Sequence, residues 1–421
     1  LERVLTLPAS PFASFLRKIA GVEAYASGEA KEVSGLRVLD DRRLEIHLSE
    51  PDATLPMVLA MKFATPLRRD HVARVGNDIR RMPLGTGPFM LTEWQEGSKL
   101  VFARNPHYWE ESRPYLDGLI MHSNVPLEMA FLRFEAGQLD MVTPLSAADY
   151  LWLAERPDWR PYIDVPDSLS TIGVRMNCQR PPFDDVRVRQ ALNYGVNKDN
   201  IRKILNGTVT SAHGILPDSL PGHNPRIEPY PYDPERARAL LAEAGYPDGL
   251  TIDYVTIPAF PHQRNAQAMQ ADLRRIGVDM RIELVSPGAL FGAIGERDFA
   301  PFSFVGWQVD YPDPSSFIDV NFHSRMIGDS QSNNNTFYAN PQLDRLIDAA
   351  KNERDPRKRR GMYEEIDAIL HRDAPWIWLY HFVFVSARQP YLAGFKPHPM
   401  WRHDYREAWL DLPADHPRRA R

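Results

Sequence analysis

The sequence predicts an α/β fold built from more than one domain. Strand and helix patterns alternate along most of the chain, which is typical of α/β proteins. The clearest unit is a strand at 250–256, a helix at about 263–276 and an alternating strand at 278–284. Such a unit usually forms a parallel crossover. A chain of 421 residues is too long for one ordinary core, so two or three domains are expected.

The first third of the chain contains two hairpin patterns. Residues 35–48 alternate apolar and polar side chains on both sides of an aspartate turn. Residues 83–109 begin with glycine and proline turn formers and continue as two apolar runs separated by a polar turn. Trp94 and Trp109 are expected to pack there. An apolar run at 119–121, a helix at about 127–134 and a strand at 138–142 follow.

The second half contains helices with marked ends. The run from Asp233 to Gly245 has an aspartate at the N-cap, Pro234 at the first helical position and a glycine placed as the C′ residue. This pattern predicts one helix with defined boundaries. The other predicted elements are a strand at 171–177, a helix after the PPFDD run at 181–185, a helical pair within 340–373 and a buried strand around 376–385.

The composition excludes several classes of protein. The chain is 43% hydrophobic and 25% charged, and its formal net charge of −5 gives no overall attraction to nucleic acid or to an anionic membrane. No apolar run approaches the roughly 20 residues that a membrane-spanning helix needs. Cys178 is the sole cysteine, so neither an intramolecular disulfide nor a cysteine-based zinc cluster is expected.

Catalytic and metal-binding motifs are absent from the sequence. There is no HExxH zinc motif, no GxSxG nucleophile turn and no phosphate loop ending in GK[ST]. The paired carboxylates are adjacent in sequence, so on a helix they do not share a face. We therefore expect no covalent chemistry, no cofactor and no metal.

The segment from Phe302 to Asp313, FSFVGWQVDYPD, is the strongest candidate for a binding site. It reads as an apolar strand that leads to Trp307 and then to Asp310. A carboxylate beside aromatic side chains can hold an ammonium group through a charge-assisted hydrogen bond and cation–π attraction. The alternative is structural: Asp310 caps the turn at Pro312 and Trp307 fills a core. The residues alone leave both interpretations open.

The chain also resembles the family 5 extracytoplasmic solute-binding proteins, which capture peptides and other solutes for ABC importers. Three parts of a family signature occur in order within residues 83–109: a P-x-GTGPF turn, a strand pair and an R-N-P-x-Y-W close. Residues 177–192 resemble the family pattern N-x-x-x-P-P-F-x-D-x-R-V-R-Q-A-L, and YDPERARALLAEAGY at 232–246 also resembles the family.

The resemblance implies a two-lobed fold of the type II periplasmic-binding-protein class with an extra α/β subdomain. Residues 1–90 would form the extra subdomain, 91–168 and 386–421 the first lobe, and 169–385 the second lobe. Chain crossings near Asp167 and Val385 would form the hinge. Residues 1–5 resemble a helix that lies well inside family members, so we expect an N-terminal portion, with any export signal, to precede this chain.

The resemblance also implies site residues. In peptide-binding members a G-W-x-x-D segment supplies an aspartate for the peptide α-amino group, and Gly306, Trp307 and Asp310 match it. Tyr311 and Gln308 would complete this side of the pocket. Some relatives bind a peptide carboxylate with an arginine at the position of Phe304, and others with an arginine after the 250–256 strand, where Arg264 is the candidate. A carboxylate anchor therefore stays open.

The functional prediction is a receptor for an ABC importer that binds a peptide or peptide-like amine-bearing solute in an interlobe cleft. Its expected partners are that solute and the permease subunits in the membrane, with no nucleic acid. We expect a monomer in the periplasm or anchored outside the membrane. The alternative is the ligand-sensing domain of a larger regulatory protein, fused to a kinase or transcription regulator. A hydrolase on a borrowed scaffold is a third hypothesis.

Overall fold

The computed structural model describes residues 1–7, 10, 12–205, 208–400 and 404–414. His403 and the arginine-rich tail at 418–421 lie outside the described residues. The strands, in chain order, are β1 Leu36–Asp40, β2 Arg43–Ile46, β3 Phe89–Gln95, β4 Lys99–Arg104, β5 Gly118–His122, β6 Met141–Val142, β7 Ile163–Asp164, β8 Ser170–Met176, β9 Val209–Ser211, β10 Leu250–Thr256, β11 Val278–Leu284, β12 Phe302–Gln308, β13 Trp376–Phe382, β14 Ser386–Arg388, β15 Leu392–Ala393 and β16 Trp409–Leu410.

The helices surround these strands on several sides. They are α1 Glu2–Thr6, α2 Val22–Ala26, α3 Leu55–Leu59, α4 Arg69–Val75, α5 Leu127–Glu135, α6 Ala147–Ala154, α7 Val186–Gly195, α8 Lys198–Ile204, α9 Pro234–Glu243, α10 His262–Arg274, α11 Pro287–Ala293, α12 Ser315–Phe322, α13 Pro341–Asn352 and α14 Pro356–Asp373. Across the described ranges, we find no helix with the length and apolarity that crossing a membrane would require.

The predicted helix ends are confirmed in α9. The Asp233 side chain accepts a hydrogen bond from the backbone N–H of Arg236, and Pro234 occupies the first helical position. Gly245 has a φ of +96°, and the backbone N–H of Tyr246 donates to the carbonyl of Leu241 at 2.8 Å. Glycine adopts this left-handed conformation without steric cost, which explains why the helix stops there.

The largest sheet has six strands in the order β11-β10-β12-β8-β13-β9. The predicted strand–helix–strand unit is confirmed, because β10 and β11 pair in parallel over seven residues. Strand β12 runs parallel to β10, whereas β8 is antiparallel to both β12 and β13. Strands β10, β11 and β12 therefore end at one edge of the sheet, here called the carboxyl edge, where β8 begins and β13 ends.

Apolar side chains cover both faces of this sheet. On one face, α7, α9 and α10 pack over a cluster that includes Phe302, which is fully buried and stacks on Phe183 with ring centroids 5.3 Å apart. On the other face, α12, α13 and α14 pack over Trp376 and Trp378. Burial on both faces explains why β8, β12 and β13 read as largely apolar runs rather than as alternating patterns.

Apolar side chains from the described part of residues 1–63, together with Tyr311, form a separate cluster, here called the N-terminal cluster. Both predicted hairpins are confirmed: β1 pairs with β2, and β3 pairs with β4. Tyr311 is the one buried member of the N-terminal cluster that comes from a distant part of the described chain. The buried members are Val4, Leu5, Leu16, Ile19, Val22, Val33, Val58, Met61 and Tyr311.

A small three-stranded sheet has the order β6-β14-β7. The chain connects it to the six-stranded sheet at the carboxyl edge, where β8 begins and β13 ends. The chain passes between the two sheets at 165–169 and again at 383–385. Ser168 and Ser170 each donate a side-chain hydrogen bond to the carbonyl oxygen of Phe382, at 2.9 and 3.1 Å. These bonds hold the two crossings side by side.

The packing prediction for Trp94 and Trp109 is half right. Trp94 is half-buried beneath the guanidinium groups of Arg80 and Arg81. Trp109 is 72% exposed, so the prediction that it packs is wrong. The preceding residue, Tyr108, takes the buried position, and the Trp109 ring lies outside it with ring centroids 5.7 Å apart.

Replacement of the core residue Phe302 by alanine is predicted to lower the free energy of unfolding by about 4 kcal/mol, because it removes a fully buried ring and leaves a cavity. Urea unfolding followed by circular dichroism measures the change. Phe291→Ala is the matched control: that ring is 56% exposed on α11, and its loss should change the free energy by less than about 1 kcal/mol. Equal effects would contradict the packing described above.

Candidate functional site

Asp310 follows β12 directly and lies at the carboxyl edge. In the β12–β8 pairing, Gln308 lies opposite Ser170, the first residue of β8. The end of β12 is thus beside the first crossing between the two sheets. In open α/β sheets, ligands commonly bind outside the carboxyl ends of the strands. The structure places the predicted aspartate at such an edge.

The turn after β12 is held by the first residues of α12. The indole Nε1–H of Trp307 donates to the carbonyl oxygen of Ser316 at 2.7 Å. The backbone N–H of Asp310 donates to the Ser316 hydroxyl at 2.8 Å. Trp307 is half-buried and packs against the cluster beneath α12. Its ring orientation is therefore fixed by the protein itself.

Asp313, not Asp310, performs the structural role in this turn. Asp313 Oδ1 accepts hydrogen bonds from the backbone N–H of Ser315 at 3.0 Å and from its hydroxyl at 2.6 Å. Both carboxylate oxygens also accept from the Arg359 guanidinium, at 2.6 and 2.8 Å. Although burial acts to raise it, the bonds and charge of Arg359 hold the pKa of Asp313 below its usual value.

The Asp310 carboxylate has a different environment. Among the residues that the structure describes, no cationic side chain pairs with it and no donor hydrogen-bonds to its oxygens. Burial raises its pKa from 3.8 to about 6. A half-buried carboxylate without a counter-charge is costly to the fold, so it is a candidate for binding an external cation. The alternative that Asp310 merely caps the turn is not what the contacts show.

Tyr311 points away from Asp310 into the N-terminal cluster. It is 3% exposed, its ring meets Phe15 edge-on with centroids 6.0 Å apart, and its hydroxyl lies 2.9 Å from the Ser315 hydroxyl. Tyr311 also lines an open pocket of about 680 Å³ between residues 14–58 and the α12–α13 region. Trp307 and Asp310 are not among the residues that line this pocket.

Gln308 lies on the crossing side of the turn. Its side chain is exposed and borders a small pocket with Ser170 and Phe382 from the six-stranded sheet. His398, from the segment that follows the second crossing, lines the same pocket. Gln308 therefore lies between the six-stranded sheet and the segment that follows the second crossing.

Arg264 occupies the first turn of α10. The helix begins six residues after β10 ends, and β10 neighbours β12 in the sheet. Arg264 is exposed, and its guanidinium lies 5.6 Å from the centre of the Phe260 ring. Arg264 and Asp310 thus follow neighbouring parallel strands at the same edge.

Sequence reasoning missed His262, the first residue of α10. Its ring packs on Phe304 with centroids 4.2 Å apart, and burial lowers its pKa to about 4. Its Nδ1 is buried without a hydrogen-bond partner among the described residues. A histidine after a strand carries no motif. Its one signal in the sequence is its position after the strand that neighbours β12.

The described residues offer neither a metal-binding cluster nor an activated cysteine. Within the described ranges, no three His, Cys, Asp or Glu side chains are grouped so that they could hold a metal ion. Burial raises the pKa of the Cys178 thiol to about 11, which disfavours the nucleophilic thiolate. The arrangement around Asp310 suits recognition of a cation.

A family model and several characterised proteins match this chain. The model described as "Bacterial extracellular solute-binding proteins, family 5 Middle" matches residues 1–329. The "Di/tripeptide-binding protein 2" of Pseudomonas aeruginosa is 28% identical over 391 residues, covering 90% of this chain and 72% of that protein. The "Heme-binding protein A" of Haemophilus influenzae is 29% identical over 372 residues, covering 86% and 67%.

Two solved structures at 25% identity have a similar fold. The periplasmic binding protein DppA from Helicobacter pylori, in complex with the peptide STSA, superposes with a TM-score of 0.82 and covers 97% of this chain and 78% of its own. The Escherichia coli murein tripeptide binding protein MppA gives a TM-score of 0.79, with coverages of 96% and 80%. Both support the two-lobed α/β fold.

Asp310→Asn is predicted to stabilise the ligand-free protein at pH 8 by about 2 kcal/mol. The folded protein holds the Asp310 proton more tightly than the unfolded chain, because the folded pKa is about 6 and the usual value is 3.8. The stability of the parent protein should therefore fall as pH rises from about 4 to about 6. Urea unfolding at pH 8 and pH 4 should show the advantage of the variant disappearing at the lower pH.

Asp313→Asn is the matched control, three residues away. It removes the charge that pairs with the half-buried Arg359 guanidinium and should cost about 3 kcal/mol at pH 8. If both substitutions destabilise the protein alike at pH 8, Asp310 has a partner within the fold and the assignment of the two aspartates is wrong.

Proposed function

The chain belongs to family 5 of the bacterial extracellular solute-binding proteins, and on that basis we propose that it captures a short peptide or peptide-like solute with a free amine. It delivers this solute to the permease of an ABC importer. Relatives named for a di- or tripeptide and for glutathione bind ligands of this kind. The heme-binding relative shows that the family scaffold also accepts other solutes.

The observation that carries this proposal is the Asp310 carboxylate, half-buried at the carboxyl edge without a cationic partner in the described chain. A ligand ammonium group would supply the missing positive charge and the missing hydrogen-bond donors. Such charge-assisted bonds are strong where water is partly excluded. Trp307, with its ring fixed by Ser316, would flank the amine and favour it through its π face.

The remainder of the ligand would extend along the same edge. Gln308 is the last residue of β12 and offers an amide. His262 and Arg264 follow the neighbouring strand β10 and offer an imidazole and a guanidinium. Arg264 is the candidate partner for a ligand carboxylate. Some relatives have an arginine for this purpose at the position of Phe304, but a phenylalanine cannot pair with a carboxylate. We propose that Arg264 attracts this group at the rim of the site, because its side chain is exposed.

Closure of two lobes would bury the ligand. We propose a first lobe of residues 91–168 and 386–421, a second lobe of residues 169–385, and an extra subdomain of residues 1–90. The crossings near Asp167 and Val385, tied by Ser168, would form the hinge. Two neighbouring connecting segments are a common basis for hinge closure around a ligand.

The protein would act outside the cytoplasm as a monomer and without covalent chemistry. The relatives are binding proteins, and the candidate site offers recognition groups rather than a nucleophile with its base. The permease subunits in the membrane would be its protein partners.

Asp310→Asn is predicted to weaken binding of a free-amine peptide by about 10- to 100-fold, because it removes the charge that pairs with the ammonium group. The ligand is first chosen by incubating the protein with a randomised tripeptide mixture and identifying the retained peptides by mass spectrometry. Isothermal titration calorimetry then gives the affinities at pH 7.5.

N-acetylation of the same peptide provides the chemical control. The parent protein should bind the acetylated form at least about tenfold more weakly, and Asp310→Asn should discriminate far less between the two forms. Affinity of the parent protein for the free amine should also decline as the pH falls below about 6, where the Asp310 carboxyl gains its proton. Unchanged affinity in Asp310→Asn refutes the amine-binding role.

A further inference from the structure

We infer that Tyr311 is a positioning residue through which the N-terminal cluster sets the orientation of Asp310. The extra subdomain would then influence which ligands are accepted without contacting them. This inference rests on the proposed amine-binding role of Asp310.

The turn after β12 is attached to α12 at two points. The backbone N–H of Asp310 donates to the Ser316 hydroxyl, and the hydroxyl of the next residue, Tyr311, meets the hydroxyl of Ser315. Ser315 and Ser316 are the first two residues of α12. One helical turn therefore holds both the ligand-binding residue and the residue that enters the N-terminal cluster.

Helix α12 is itself held in place by contacts with α14 and α13. Ser315 donates to Asp313, and Asp313 receives two bonds from Arg359 on α14. Arg359 Nε also donates to the carbonyl of Ala350 in α13, at 3.0 Å. Three helices of the six-stranded unit thus fix one side of the turn, and the ring of Tyr311 packs on the other side, in the N-terminal cluster.

On the opposite side of the turn, Tyr311 contacts the Phe15 ring edge-on. Both residues line the open pocket of about 680 Å³. Removal of the Phe15 ring would widen this pocket beside Tyr311 and give the Tyr311 ring space to reorient.

Movement of the Tyr311 ring would affect the contact between Asp310 and the ligand amine. The Asp310 carboxylate has no hydrogen bond of its own to the described residues, so its direction depends on the backbone of the turn that Asp310 shares with Tyr311. A recognition group that is misplaced by about 1 Å loses much of its contribution. Motion of Tyr311 should therefore weaken the amine contact selectively, while other ligand contacts remain.

The test compares two phenylalanines of one aromatic cluster. The rings of Phe15 and Phe63 pack together with centroids 6.1 Å apart. Within the described residues, Phe15 has a ring contact with Tyr311 and Phe63 has none. Phe15→Ala and Phe63→Ala remove rings of the same size from the same cluster. Tyr311→Phe keeps the buried ring and removes the hydroxyl contact with Ser315, so it serves as the milder second variant.

The measured quantity is the ratio of affinities for the tripeptide and its N-acetylated form, obtained by calorimetry on the folded protein. Phe15→Ala should lower this ratio by about tenfold and Tyr311→Phe by about threefold, whereas Phe63→Ala should keep it within about twofold of the parent. A purely structural role would lower the melting temperature or weaken both peptides equally, and the ratio would stay constant.

Each outcome supports or refutes the positioning role of Tyr311. If the parent protein does not discriminate between the two peptides, the proposed function fails and this inference fails with it. If the parent discriminates and Phe15→Ala does too, the proposed function stands and the positioning role is refuted. An equal fall of the ratio in Phe15→Ala and Phe63→Ala also refutes it, since the effect would then belong to the whole cluster. If Phe15→Ala does not fold, Tyr311→Phe decides: an unchanged ratio overturns the inference.

Discussion

The antiparallel pairing of β8 with β12 is the constraint on which the rest of the structure depends. Seven consecutive residue pairs, from Phe302 opposite Met176 to Gln308 opposite Ser170, fix where β12 ends. Because side chains alternate along a strand, a slip of one residue would exchange the two faces of β12. The register therefore places Trp307 under α12, and it brings Asp310 beside the first chain crossing.

The site combines rigid support with an unfavourable charge. Arg359 and the two serines of α12 hold the turn, whereas the carboxylate that the turn presents has no partner in the described chain. A fold optimised for stability alone would neutralise such a group, because burial of an unpaired carboxylate is costly. The carboxylate of Asp313 is fully hydrogen-bonded, whereas that of Asp310 has no partner among the described residues. This contrast is the basis of the proposal that Asp310 binds a ligand.

Local signals in the sequence were sufficient for many elements. Asp233, Pro234 and Gly245 define a helix because capping involves neighbouring residues only, and the parallel unit at 250–284 follows from periodicity and a glycine stop. Side-chain direction was less accessible. Trp109 is exposed because Tyr108 takes the inward position, and Tyr311 faces the N-terminal cluster because it contacts residues nearly 300 positions earlier.

The sequence by itself determined the α/β class, the family and the segment that carries the candidate site, because each depends on local patterns and on ordered motifs. The residues of that segment left open whether Asp310 binds a ligand or caps the turn, and only the family resemblance favoured binding. The tertiary structure gives the structural contacts to Asp313, which pairs with Arg359, whereas Asp310 has no counter-charge among the described residues. Electrostatic partners in a folded protein come from distant segments, so their pairing is a property of the fold and not of the local sequence.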